Sequence, residues 1–156
     1  MAVRRGARRR RGGTRLILLH IVARGRIGRS PEGELVTRYM KRIAWPTRVT
    51  ELPDAGGRMP AAGPQSRHVL LDETGEALPS TALAERLGRW RDDGVREARF
   101  LIGAADGFGD AERAQADLLL SFGRATWPHL LARAMLAEQL FRAVSILAGH
   151  PYHREG

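Results

Sequence analysis

Short, nearly continuous apolar runs alternate along the chain with longer segments whose apolar residues recur three and four positions apart. Leu16 to Val22 is such a run, the pattern of a strand covered on both faces. The Arg24-Gly-Arg-Ile-Gly-Arg29 loop leads to Ser30, Pro31 and Glu32. These supply an N-cap, a first-turn proline and an acid matched to the helix dipole, and they predict a helix to about Ile43. Thr47 to Leu52 alternates as a second strand, and residues 53–66, with three Pro and three Gly, predict an irregular connection. His68 to Asp72 reads as a third strand ended by a turn at Gly75. A helix capped by Ser80 or Thr81 follows to about Trp90, closed by Gly94. Ala98 to Ile102 is the fourth strand, Gly103 to Gly109 a loop, and Asp110 the cap of a short helix to about Ala116. Leu118 to Phe122 is the fifth strand. This strand-helix rhythm predicts a single α/β domain with a mostly parallel sheet and helices on both faces.

The last element is the longest. From His129 to Ala148 nothing breaks a helix, Pro128 suits its start and Gly149 its end. At 100° per residue, Leu130, Ala134, Leu136, Ala137, Leu140, Phe141, Val144 and Leu147 fill one arc, and Glu138, Gln139, Arg142 and Ser145 the other. Arg133 falls inside the apolar arc, where its guanidinium must snorkel out or meet an anion. Leu131, Met135 and Ile146 interrupt the polar arc, so the helix is apolar nearly all round, which predicts a second cover from another subunit. A polar tail carrying His150, Tyr152, His153 and Arg154 follows.

A length of 156 residues with 43% hydrophobic and 28% charged side chains is ordinary globular composition. The absence of cysteine excludes disulfides, thiolate nucleophiles and Cys-ligated zinc. A formal charge of +9 points to a polyanionic partner, but residues 1–15 carry seven arginines and no acid. The remaining body has 19 basic and 17 acidic side chains, a net of +2. Residues 1–13 are therefore expected to be a disordered Arg-rich tail ahead of a domain spanning 14–156. The tail reads as an RNA-touching arm, a solvated extension, or residues upstream of the true start. The Leu16–Val22 run lacks a cleavage site, and no stretch is long enough for a membrane span, so a cytoplasmic protein is expected. His150 and His153 have metal-ligand spacing but no further ligands nearby, and no metal is expected.

The loop after the fourth strand, Leu-Ile-Gly-Ala-Ala-Asp-Gly-Phe-Gly, stands where open α/β sheets bind ligands. Its glycines, Gly103, Gly107 and Gly109, do not make G-x-G-x-x-G, and no G-x-x-x-x-G-K-[ST] occurs, which excludes a standard dinucleotide fingerprint and a P-loop.

Leu101-Ile-Gly103 followed by Gly107, then Trp127-Pro-His129, Arg133, Ala137-Glu138, Phe141-Arg-Ala143 and the terminal His150-Pro-Tyr-His-Arg-Glu155 together resemble the SPOUT class of methyltransferases. Within that class they are similar to the small RlmH family, whose members methylate N3 of a pseudouridine in an intersubunit stem-loop of 23S ribosomal RNA. The likeness covers roughly Arg15 to Glu155. It implies a C-terminal trefoil knot, an antiparallel homodimer, S-adenosyl-L-methionine held in the knot, and 23S RNA of the large subunit or assembled ribosome as partner. Two departures are visible: Ala104 and Ala105 stand where the family usually has a second glycine and a proline, followed by Asp106, and the 53–66 connection is shorter.

By the same resemblance, backbone groups at Leu71, Gly103 and the loop Phe122, Gly123, Arg124, Ala125, Thr126 and Trp127 are expected to hold the cofactor. His129, Arg133, Arg142, Tyr152, His153 and Arg154 are the candidates to grip phosphate or stabilise the imide anion of the target base. His129, His153 and solvent are candidates to accept its proton. Alternatives are a SPOUT enzyme with another RNA target and a non-catalytic ribosome- or RNA-binding protein.

Overall fold

The computed structural model describes residues 16–104 and 106–154. The expected disordered tail, Ala105 and Glu155 lie outside the described residues. The chain runs β1 (Leu18–Arg24), α1 (Pro31–Arg42), β2 (Thr47–Leu52), β3 (Ser66–Glu76), α2 (Ser80–Asp92), β4 (Glu97–Ile102), α3 (Asp110–Gln115), β5 (Leu118–Leu120) and α4 (His129–Leu147). The five strands form one parallel sheet in the order β2-β1-β4-β3-β5.

Local chemistry explains most boundaries. Ser30 caps α1 by accepting the Gly33 N–H at 3.0 Å, with Pro31 in the first turn. At α2 and α3 the expected caps sit one step inside the helix. Pro79 is the N-cap of α2 and Ser80 its first residue, whose hydroxyl donates to Gln139 of α4 at 2.6 Å. Gly109 is the N-cap of α3, its N–H bound at 3.0 Å to Glu112, with Asp110 first in the helix. Gly149, at φ +73°, closes α4 in the left-handed conformation that favours glycine.

β3 is longer than expected. Residues after Asp72 leave the ladder and return, so that Leu71 and Glu76 both pair with Leu120 and the intervening residues bulge. Gly75 permits this closure, since a Cβ there would lie 2.5 Å from the carbonyl carbon and oxygen of Leu119. Gly75→Ala is expected to destabilise the chain by about 1–3 kcal/mol, because the obstacle is backbone. A urea midpoint equal to wild type would contradict that placement.

Strand side chains alternate between the two faces. One face presents Leu19, Ile21, Ala23, Val69, Ala98, Phe100, Leu118 and Leu120, all buried. α1, α4 and α2 pack side by side over it through Val36, Met40, Leu83, Leu87, Leu136 and Leu140. The three long helices thus share one face, which corrects the expectation of helices covering both. The other face is polar at its centre and is covered by the 53–65 connection. Arg99, buried there, donates to the carbonyls of Pro60 at 2.7 Å and Ala61 at 3.0 Å and to Glu97 at 3.0 Å. Buried His20 bridges Glu97 and Thr50, both at 2.7 Å. Burial pushes the His20 pKa below its ordinary value despite the Glu97 hydrogen bond. The neutral ring donates from Nδ1 to the carboxylate and accepts the Thr50 hydroxyl at Nε2. A connection without helix thus covers a sheet face because buried polar groups satisfy its carbonyls.

Candidate active site

The carboxyl ends of β3, β4 and β5 open on a single cleft of about 320 Å³, a size suited to a small-molecule ligand. In an all-parallel sheet these ends face the same rim, where the loops are free to diverge from the ladder. Of the eight expected cofactor residues, Leu71, Gly103, Phe122, Gly123, Ala125, Thr126 and Trp127 line it. Arg124 is exposed and is not part of the lining. Ile102, Leu120 and Phe108 supply apolar wall, and His129 and Ala132 bring in the first turn of α4.

Three local devices shape the cleft. A Cβ on Gly103 would meet the Phe108 ring at 3.3 Å, so glycine there lets the ring close over the end of β4. The Ser121 hydroxyl has the carbonyls of Gly123 at 3.0 Å and Glu73 at 3.2 Å within reach of its one proton and accepts the Gly123 N–H at 3.0 Å, turning the chain out of β5; Gly123 has φ +107°. The third device was not legible in sequence. Asp72 accepts the backbone N–H of Thr74 at 2.9 Å, its hydroxyl at 2.6 Å and Arg113 Nε at 2.6 Å, tying the β3 bulge to α3. Trp127 is 41% exposed at the cleft, its indole N–H donating to the Phe122 carbonyl at 3.3 Å.

Burial on its own pushes the Asp72 carboxyl up, but hydrogen bonds from Thr74 and Arg113 together hold it below the ordinary value of 3.8. A depressed folded-state pKa contributes stability that is present above the unfolded value and is lost as pH falls through the folded one. Asp72→Asn is therefore expected to cost stability at neutral pH and to flatten the acid limb of the stability profile. Urea titrations at neutral and acid pH check this, and an unchanged acid limb would contradict it.

The remaining candidates lie elsewhere in the single chain. Arg133 is 1% exposed and does not reach the cleft. Its guanidinium meets the Glu51 carboxylate on β2 and donates to the Gly25 carbonyl at 3.2 Å, so of the two expected arrangements it takes the anion. Burial alone would raise Glu51, yet hydrogen bonds from Arg133 and the Ile27 N–H bring its pKa below the ordinary value. Arg142 donates twice to Glu138, at 3.0 and 2.6 Å, and once at 3.0 Å to Nδ1 of His153, which must accept because arginine has no lone pair to offer. The Tyr152 hydroxyl donates to Glu138 at 2.9 Å, its ring stands edge-on to Phe141 at 4.7 Å, and the Arg142 guanidinium lies over it at 4.7 Å. Burial, then the contacts with Glu138 and Tyr39, push the Tyr152 pKa up to about 12. Tyr152 is therefore a hydrogen-bond donor at neutral pH and not a base. Arg154 is exposed.

The tail thus folds back on α4 around Glu138 and Phe141, whereas the cleft sits at His129. Glu138 lies nine helical steps beyond His129, about 13 Å along the axis. Within one chain the tail group and the cleft group are not brought together. Among the described residues no group of three or more His, Cys, Asp or Glu is placed to hold a metal ion, and no helix is long and apolar enough to cross a membrane.

Comparison with known proteins agrees with this architecture. A solved structure described as a probable methylase family protein from Haemophilus influenzae Rd KW20 superposes with a TM-score of 0.57 over 91% of this chain and 72% of its own, at 10% identity, which speaks for the fold alone. Proteins named ribosomal RNA large subunit methyltransferase H are far more similar in sequence. That of Rhizorhabdus wittichii is 74% identical over 140 residues, 90% of this chain and 100% of its own. That of Sphingopyxis alaskensis is 68% identical over 90% of this chain and 99% of its own. The Paramagnetospirillum magneticum protein retains 47% over 87% and 98%. The family model described as predicted SPOUT methyltransferase matches residues 17–153. With the cleft at the carboxyl ends of β3, β4 and β5, and with these likenesses along nearly the whole body, the chain belongs to the SPOUT methyltransferases and, among them, to the RlmH family.

Proposed function

We propose that the protein transfers a methyl group from S-adenosyl-L-methionine to N3 of a pseudouridine in the intersubunit stem-loop of 23S ribosomal RNA, in the cytoplasm and as a homodimer. The observation that carries this reading is the gathering of seven expected cofactor residues around one cleft. The lining fits the cofactor. Leu71, Ile102 and Leu120 offer apolar surface, Gly103 and Gly123 let ligand approach backbone, and Glu73 and Asp106 place carboxylates where a cationic sulfonium is favoured. Family membership supports a C-terminal segment threaded as a trefoil knot, one of the rare exceptions to unknotted topology.

When bound, the sulfonium supplies an electrophilic methyl that an in-line attack by the ring nitrogen takes up, leaving a neutral thioether. The chain's own task is alignment and stabilisation of the deprotonated imide. His129 stands at the cleft, in reach of the role of proton acceptor. Tyr152, His153 and Arg154 supply a stacking ring, a second imidazole and a phosphate-binding fork. They cannot reach their own cleft from where Glu138 and Phe141 hold the tail, which favours a dimer in which the tail of a second copy completes the site. Half-buried Leu131, Met135 and Ile146 give α4 the apolar surface such a partner would cover.

Calorimetric titration with S-adenosyl-L-methionine, together with light scattering at micromolar protein, tests this reading. Heat of binding and a dimer mass are expected. No heat and no thermal shift at millimolar cofactor would remove the enzymatic reading, and a monomer mass would remove the shared site.

A further inference from the structure

The seven basic and two acidic side chains of residues 24–48 carry a net +5, while residues 16–156 as a whole carry only +2. The rest of the body is therefore net −3, and the body's net positive charge lies in the stretch from the end of β1 through its loop and α1 to the start of β2. Six of these cations, Arg26, Arg29, Arg38, Lys41, Arg42 and Arg48, are exposed, and among the described residues no ion pair holds any of them. Arg29, Arg38 and Lys41 line one groove of about 430 Å³ along α1, in which Glu34 is the acid present. Three cations against one acid leave the groove net positive, and like charges gathered there repel one another unless a polyanion neutralises them.

Two further features give this groove a direction. β1 lies beside β4 in a parallel sheet, so the Arg24–Arg29 loop leaves at the same rim as the Gly103–Gly109 loop of the cleft. The loop is also held firmly from beneath. Glu51 accepts the Ile27 N–H at 2.9 Å, Arg133 donates to the Gly25 carbonyl, and the Ser30 hydroxyl donates to the Ile27 carbonyl at 2.8 Å. Its charges are thus presented on a fixed backbone. The groove lies on the side of α1 turned away from α4, since Tyr39 and Arg42 are the residues that meet Phe141.

We propose that this groove, from the Arg26–Arg29 loop to Lys41, docks the sugar-phosphate backbone of the RNA strand flanking the nucleotide in the cleft. Guanidinium forks and a lysine ammonium grip phosphate without reading sequence, so the surface sets register and affinity rather than base identity. The inference rests on the RNA-methylating reading above.

The test uses the full chain with Arg29→Ala, Arg38→Ala and Lys41→Ala combined, beside a control of equal charge change elsewhere, Arg58→Ala, Arg89→Ala and Arg96→Ala. The readouts are affinity for a 23S RNA fragment across a salt series, calorimetric cofactor binding, and single-turnover transfer at saturating RNA. The groove variant is expected to bind RNA at least about tenfold more weakly, with a salt slope shallower by about 2 for three lost phosphate contacts on single-stranded RNA. Its cofactor affinity and its transfer rate at saturation should match wild type, and the control should behave as wild type throughout. If wild type transfers methyl and the groove variant binds RNA like the control, the docking surface is overturned and the methylation reading stands. If wild type neither binds nor methylates RNA, both fall together.

Discussion

Truncation after Gly149 is expected to lower single-turnover methyl transfer to ribosomal RNA by about a hundredfold or more, while leaving the fold and cofactor affinity intact. Among the described residues none that lines the cleft lies beyond Ala132, so no described part of the tail shapes the expected cofactor site of its own chain. The tail packs on α4 and α1: Tyr152 meets Glu138, Phe141, the Arg142 guanidinium and Tyr39, and His153 meets Arg142. When they are removed, Arg142 and Glu138 still satisfy each other at 2.6 Å, and the loss to stability is small. What disappears is the set of groups proposed to position the RNA, and misplacing a reacting atom by an ångström is enough to cost two orders of magnitude. His153→Ala and Arg154→Ala should each lower transfer by less than the full truncation. A folded, cofactor-loaded truncation with unchanged transfer would show that the tail does not position RNA.

The largest expected effect on stability lies at the other end of α4. Arg133 is buried, and its partner Glu51 has a side chain still about one-third exposed, at 34%. Removing one member of a fully buried pair costs about 3–5 kcal/mol, a ceiling for this pair because water reaches Glu51. The two removals are not equivalent. Glu51→Ala strands the guanidinium inside the protein and removes the acceptor of the Ile27 N–H, so it should come nearer that ceiling. Arg133→Met keeps the apolar stem and leaves a carboxylate that water can reach, so it should cost clearly less. Paired with Glu51→Gln, Arg133→Met should recover part of the loss, as the remaining charge is removed. Urea unfolding of the two single variants and the pair measures all three, and equal costs for the single variants would contradict the asymmetry.

Arg133 also marks where sequence reading stops. The helical wheel singled it out, because a cation inside an apolar arc has few physical options. Its partner is 82 positions away on β2 and becomes visible only when the sheet is assembled. β2 itself was legible to its ends, since Thr47 to Leu52 alternates and is bracketed by Pro46 and Pro53. β3 was not, because Asp72 to Gly75 has the composition of a turn, and the return of Glu76 to Leu120 depends on a backbone approach that only glycine allows. Covering of the second sheet face by an extended connection depends on Arg99 reaching two carbonyls nearly forty positions earlier, another long-range contact with no local signal. The loop after β4 was legible as a ligand position at a strand end, whereas the individual cleft residues were named by the resemblance to the family. The tail was legible as a motif, but its distance from the cleft was not, because that distance depends on how the tail folds back onto Glu138, Phe141 and Arg142.

The central claim is transfer of a methyl group to one nucleotide of large-subunit RNA. Its most direct test is single-turnover incubation of the full chain with labelled S-adenosyl-L-methionine and ribosomes or 23S RNA, followed by mass spectrometry of the digested RNA. The predicted result is one methyl per target, on N3 of a pseudouridine in the intersubunit stem-loop. Methyl on a different nucleotide would contradict the assigned target, and a dimeric, cofactor-loaded protein that leaves the RNA unlabelled would contradict the claim itself.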